Sequence, residues 1–202
     1  MDASEFVDTV RADTKTELSR LGSSKSLYAA TGGEMEPDAV RAAAADDAHF
    51  AADTLEGWAD GEASEVFAAA AERERDHYGA VAPDGHEPGE PPAIVEFLRG
   101  KESAVERLGG LVGWALVADE TASQCSGFFT GQADPQTAST FRGLREDYEA
   151  TRKATLDALG TVCDDEGDWE RAVESATGAI EAAYAEYVER LEAMGVNPKP
   201  VC

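Results

Sequence analysis

Three carboxylates and one imidazole are the residues best placed to do chemistry together: Asp47, Glu74, His77 and Asp119. On a helical wheel at about 100° per residue, each falls within an apolar stripe instead of opposite one. Asp47 interrupts the stripe Val40, Ala44, Ala51, Leu55 and Trp58. Glu74 and His77 continue the stripe Ala63, Val66, Ala70 and Val81. Asp119 sits within Ile94, Leu98, Val105, Leu108, Val112, Ala115 and Leu116, with Glu120 at its edge. A lone ionised carboxylate in an apolar interior costs several kcal/mol unless something positive meets it. Acids buried on three separate segments therefore require a counter-charge between them, and a metal ion and an arginine are the two candidates. A further segment offers the second: its stripe Phe141, Leu144, Tyr148, Thr155, Leu159 and Val162 carries Arg145 and Arg152 on its flank and no inward acid.

The elements that must position these groups all read as helices. Alanine is abundant, β-branched residues are sparse, and no alternating apolar pattern recurs. Asp2 and Glu5 have capping-box spacing before a helix over 4–21, which stops at Gly22-Ser23-Ser24, and a connector follows to Gly32-Gly33. Pro37 suits the first turn of a helix over 37–60. A third helix spans 62–82. The run from Pro83 to Pro92 is irregular, and Pro91 or Pro92 opens a fourth helix over 92–129, bent or broken at Gly100 or at Gly109-Gly110. Asp134-Pro135 opens a fifth helix to Cys163. The segment Asp165 to Asp168 caps a last one over 168–194, whose stripe runs Trp169, Val173, Ala176, Ile180, Tyr184, Tyr187, Leu191 and Met194. The expected fold is all-α, a single helical domain over 1–202: an up-and-down four-helix bundle over about 37–163 with extra N-terminal and C-terminal helices.

Within that frame, Glu72-Arg73-Glu74-Arg75-Asp76-His77 at the end of a second bundle helix, after the tight turn Trp58-Ala59-Asp60-Gly61-Glu62, resembles the Glu-x-x-His site of the ferritin-like superfamily. Within that superfamily the likeness is to rubrerythrin-type proteins, here of a halophilic archaeon and without the rubredoxin part. The resemblance implies metal ligation by Glu74 and His77, with Asp47 standing for the first-helix acid and Asp119 or Glu120 for the third-helix acid. Fe or Mn is the implied cofactor, in an oxidoreductase acting on oxygen or peroxide. The chain departs from the pattern in one respect: Tyr148, Thr151 and Arg152 occupy the face that should carry a second Glu-x-x-His, and Glu149-x-x-Arg152 ends in a cation.

The rival reading keeps the same inward residues and neutralises them with Arg152, Arg145 and protonated His77, Tyr148 lying beside them, because a guanidinium stays charged when desolvated and offers carboxylates a planar fork. In that reading the chain is a degenerate rubrerythrin-type bundle with a partly or wholly lost metal site. It then acts as a structural, interaction or regulatory module, as a homo-oligomer or with a protein partner. A transcription-associated role of the antitermination type is a minor alternative, and no residue carries it.

Charge constrains the partners. Among 202 residues, 41 acidic against 17 basic side chains give a net charge of −24, spread along the whole chain. This pattern fits adaptation to a salt-rich cytoplasm, where a Debye length of about 3 Å at molar salt screens mutual repulsion. It argues against nucleic-acid binding by a basic face. No apolar run approaches the roughly 20 residues of a membrane span, and the first 20 residues are acidic, so neither a membrane association nor a secretion signal is expected. The remaining polar features have plain readings. Asp46-x-x-His49 lies on a solvated face, and His86 is expected to be solvated in the irregular loop. Cys125 and Cys163 are core or cap positions, Cys202 is the exposed thiol, and Gly32-Gly33 lacks the strand and phosphate-loop pattern of a nucleotide site.

Overall fold

The computed structural model describes residues 1–198; Cys202 and Lys199-Pro200 lie outside the described residues. Among the described residues the secondary structure is entirely helical, with nine helices: α1 (Ala3–Asp13), α2 (Lys15–Leu21), α3 (Ser24–Ala30), α4 (Pro37–Gly57), α5 (Ser64–Val81), α6 (Ala93–Arg99), α7 (Ala104–Gly131), α8 (Pro135–Val162) and α9 (Glu166–Ala193). None of these is long and apolar enough to cross a membrane.

Local chemistry sets most boundaries. Asp2 accepts from the Ser4 and Glu5 amides while Glu5 reaches back to the Asp2 amide, closing the expected capping box of α1. Ser103 with Glu106 and Asp165 with Asp168 do the same for α7 and α9, and Asp134 caps α8 ahead of Pro135. Two boundaries differ from expectation, and a third settles between two expected alternatives. The first helix is kinked at buried Thr14, whose hydroxyl turns back to the Val10 carbonyl at 2.6 Å, so that α1 and α2 are separate. The connector 24–30 is itself the helix α3, too short to show a stripe. The fourth helix breaks at Gly100 and runs straight through Gly109-Gly110.

The last outcome has a packing cause. α7 and α9 approach so closely that a Cβ added at Gly109 would lie 2.3 Å from the Ala172 carbonyl oxygen, and one at Gly113 2.3 Å from that of Ala176. Those glycines thus remove bulk between two backbones without interrupting the helix, and the matching order of 109/172 and 113/176 shows that α7 and α9 run parallel there. On its other side α7 packs along α8. The hairpin α4–α5 completes the arrangement: α4 packs on α5, α5 on α8, α8 on α7, and α7 returns, more loosely, to α4. α1, α2, α3 and α6 cover α9 and the ends of this ring. The core between the helices is alanine-rich, with aromatic layers such as Phe129 stacked on Phe141 (5.6 Å between centroids) and Trp58 edge-on to Phe67 (5.3 Å).

Candidate functional site: a buried imidazole between two carboxylates

Glu74 and His77 lie three residues apart on α5, so their side chains share one face. Both are buried, 1% and 3% exposed. His77 Nδ1 is 3.0 Å from Glu74 Oε1, and His77 Nε2 is 3.1 Å from Oδ2 of Asp147 on α8. The ring is held edge-on to Tyr148 (5.1 Å), which is in turn edge-on to Trp114 of α7 (5.5 Å).

With a carboxylate oxygen at each nitrogen, the ring is suited to the imidazolium form, in which both nitrogens are donors. Burial works against a charged ring, but contact with Glu74 and Asp147 outweighs it and raises the His77 pKa above the usual value. Burial likewise raises Glu74, with His77 pulling the other way. The Glu74 contact is an ion pair and not a directed hydrogen bond: neither His77 Nδ1 nor Glu74 Oε2 has a hydrogen-bond partner. Arg73, whose Nη1 donates to Thr151 Oγ1 at 3.2 Å, adds a favourable charge for Glu74.

The other predicted residues divide. Asp47, on α4, is within electrostatic reach of Glu74, makes no hydrogen bond or ion pair with the described residues, and borders two adjoining cavities. Burial first, then Glu186, push its pKa up to about 7. Asp119 accepts from Arg145 Nε at 2.7 Å on a partly exposed face of α7 and α8. Glu120 lies against Gly22, where a Cβ would meet its Oε2 at 2.5 Å. Arg152 lines a surface groove with Asp119 and Arg145, so the expected guanidinium beside Glu74 is not there. The reason is register: Arg145 and Arg152 stand on the outer flank of α8, whereas Asp147, at the edge of the Leu144, Tyr148, Thr151 stripe, faces α5.

Glu74, His77 and Asp119 are paired with other side chains and form no cluster around one point. Each ring nitrogen of His77 faces a carboxylate oxygen, at 3.0 Å from Glu74 and 3.1 Å from Asp147, and Asp119 is committed to Arg145. Among the described residues no group of three or more His, Cys, Asp or Glu side chains is arranged to hold a metal ion.

Two smaller readings change. His86 is not a solvated loop residue: its Nε2 lies 2.7 Å from Asp46 Oδ1, and its backbone carbonyl accepts from the Tyr78 hydroxyl at 3.4 Å, pinning the 83–92 loop to α4. Asp46 is therefore drawn from the solvated face into that contact. Cys125 is buried, and burial raises its thiol pKa to about 12, which keeps it protonated and unreactive.

Compared with known proteins, the chain matches no family model, no curated protein and no solved structure.

Proposed function

We propose that the chain is a ferritin-like, rubrerythrin-type bundle of a halophile in which an internal ion cluster has taken over the ligand positions, and that it acts through its surface as an interaction or regulatory module, assembled with copies of itself or with a protein partner. The ring α4, α5, α8, α7 built from two hairpins supports the fold reading. One observation carries the functional reading: His77 is flanked at both nitrogens by carboxylates, and an imidazole protonated at both nitrogens has no lone pair to give a metal. The counter-charge that the buried acid of α5 requires thus comes from within the same helix, with Asp147 completing a Glu–His–Asp row across the α5–α8 interface. Such a row fixes the register of two helices. It offers neither an open coordination position nor a nucleophile.

The alternative, an Fe or Mn oxidoreductase, draws on Glu74 Oε2 and Asp47, two carboxylate groups without hydrogen-bond partners near Tyr148. It requires His77 to lose a proton and leave Asp147. Elemental analysis of protein purified without chelator or histidine tag separates the two. The module reading expects well under one metal per chain, whereas stoichiometric Fe or Mn overturns it.

A further inference from the structure

The loosest side of the ring, between α4 and α7, holds a cavity in two chambers. The outer one, of about 130 Å³, opens between α4, α9 and the 90–94 segment, and the inner one, of about 40 Å³, reaches in toward α8. Asp47, Ile94, Val117 and Thr121 border both, so these residues form the waist.

Three polar groups at the waist and the inner wall lack partners. The carboxylate of Asp47, the hydroxyl of Thr121 and the hydroxyl of Tyr148 make no hydrogen bond with any described residue. Tyr148 is only 7% exposed and lines the inner chamber, where no described residue pairs with its hydroxyl. The charges facing Asp47 are Asp46 on its own helix, Glu74 on α5, and Glu186 and Arg190 on α9. Each of the three acids already has a side-chain partner: Asp46 has His86 (2.7 Å), Glu74 has His77 (3.0 Å) and Glu186 has Arg190 (2.5 Å). Asp47 alone in this group has none.

We infer that this cavity binds a small primary alkylammonium ion, its ammonium group at Asp47, Thr121 and Tyr148 and its alkyl chain along Ile94 and Val117. An ammonium carries three N–H donors and no acceptor, which matches one carboxylate and two hydroxyl oxygens. Leu21, Ala43, Ile94 and Val117 give the outer chamber an apolar wall, and Trp114 and Tyr148 line the inner one, a setting that favours an organic cation over a hydrated inorganic one. Size limits the chain: a cavity of about 150 Å³ takes up benzene, so a body of about four to six carbons fits the outer chamber. This site does not depend on the metal reading, since its ammonium ligand displaces nothing from His77.

The test is titration calorimetry of the whole chain with butylammonium chloride, in chelator and at constant ionic strength, against sodium chloride, tetramethylammonium chloride and butanol. We expect saturable one-to-one binding of butylammonium alone. Asp47→Asn should weaken it at least tenfold, Tyr148→Phe several-fold, and Thr121→Leu, which fills the waist, should abolish it. Each variant is checked for native helicity, and Asp47→Asn and Thr121→Leu perturb the site independently should either misfold. Absence of saturable binding, equal affinity for sodium or for butanol, or unchanged affinity in folded Asp47→Asn overturns the inference. The chelator keeps the result distinct from metal content, which tests the module reading.

Discussion

Asp47 gives the most quantitative check on how the interior handles charge. Its carboxyl is raised from 3.8 to about 7, chiefly by burial and then by Glu186. An acid whose folded pKa lies above its unfolded value binds protons more tightly in the native state. Stability is then lost as pH rises from the unfolded value to the folded one, and the loss is complete above about pH 7. Three pKa units at about 1.4 kcal/mol each set a ceiling of about 4 kcal/mol. The side chain is not wholly removed from water and borders the cavity, so about half of that, 2 kcal/mol, is the expected cost. Asp47→Asn removes the charge at nearly constant shape and brings an amide with its own modest desolvation cost. The variant should therefore be more stable than the parent by about 1–2 kcal/mol near pH 8, with a smaller gain near pH 5.5. In a chain of this size that corresponds to a rise in Tm of about 2–8 °C. Urea unfolding of both proteins at the two pH values, at fixed molar KCl, measures it. A less stable variant near pH 8, or a gain that does not depend on pH, refutes the reasoning.

Three other outcomes follow from the same structure. His77→Ala leaves Glu74 buried without its cation and should cost about 3–5 kcal/mol in urea unfolding, whereas Asp147→Ala, whose side chain is half exposed, should cost about 1 kcal/mol or less. The raised His77 pKa adds stability that is present below about pH 6.5 and fades as pH climbs through the folded value, so His77→Ala should flatten the alkaline fall of the stability curve. Gly113→Ala forces α9 off α7 and should cost about 3 kcal/mol, the upper end for overpacking; Gly127→Ala, with nothing within 4 Å, should instead stabilise by about 0.5–1 kcal/mol. With a net charge of −24, Tm should rise from dilute to molar KCl in calorimetry, and a flat response contradicts salt adaptation.

Much of this was legible in the chain because the strongest signals were local. Asp2 marks the start of the first helix, and Asp134, Asp165, proline at 37 and 135, and stripes of period 3.6 mark helices whose ends agree with the structure to within a few residues. The same stripe logic brings Glu74 and His77 inward, where they are buried. It fails where a wheel has no information. Whether Gly109 breaks a helix or lets a neighbour in depends on α9, which lies some 60 residues away in sequence. Asp119 sits at the centre of its stripe, yet that face of α7 opens toward solvent beyond Leu116, so its charge finds Arg145. Asp147 is the residue that the sequence reading passes over. Its signal was its spacing of three from Leu144 and four from Thr151, both buried, which puts an acid on the rim of a core-facing stripe opposite His77. Pairing across α5 and α8 sets its role, and no single-helix pattern encodes that.

The protonation state of His77 is the quantity on which the metal-free reading rests, and it can be observed directly. Nitrogen NMR of the ring near pH 7 should show both Nδ1 and Nε2 carrying protons, with signals unmoved by chelator and not selectively broadened by stoichiometric Mn(II). A ring nitrogen with a free lone pair at that pH, together with specific broadening of the His77 signals at one equivalent of Mn(II), would contradict it.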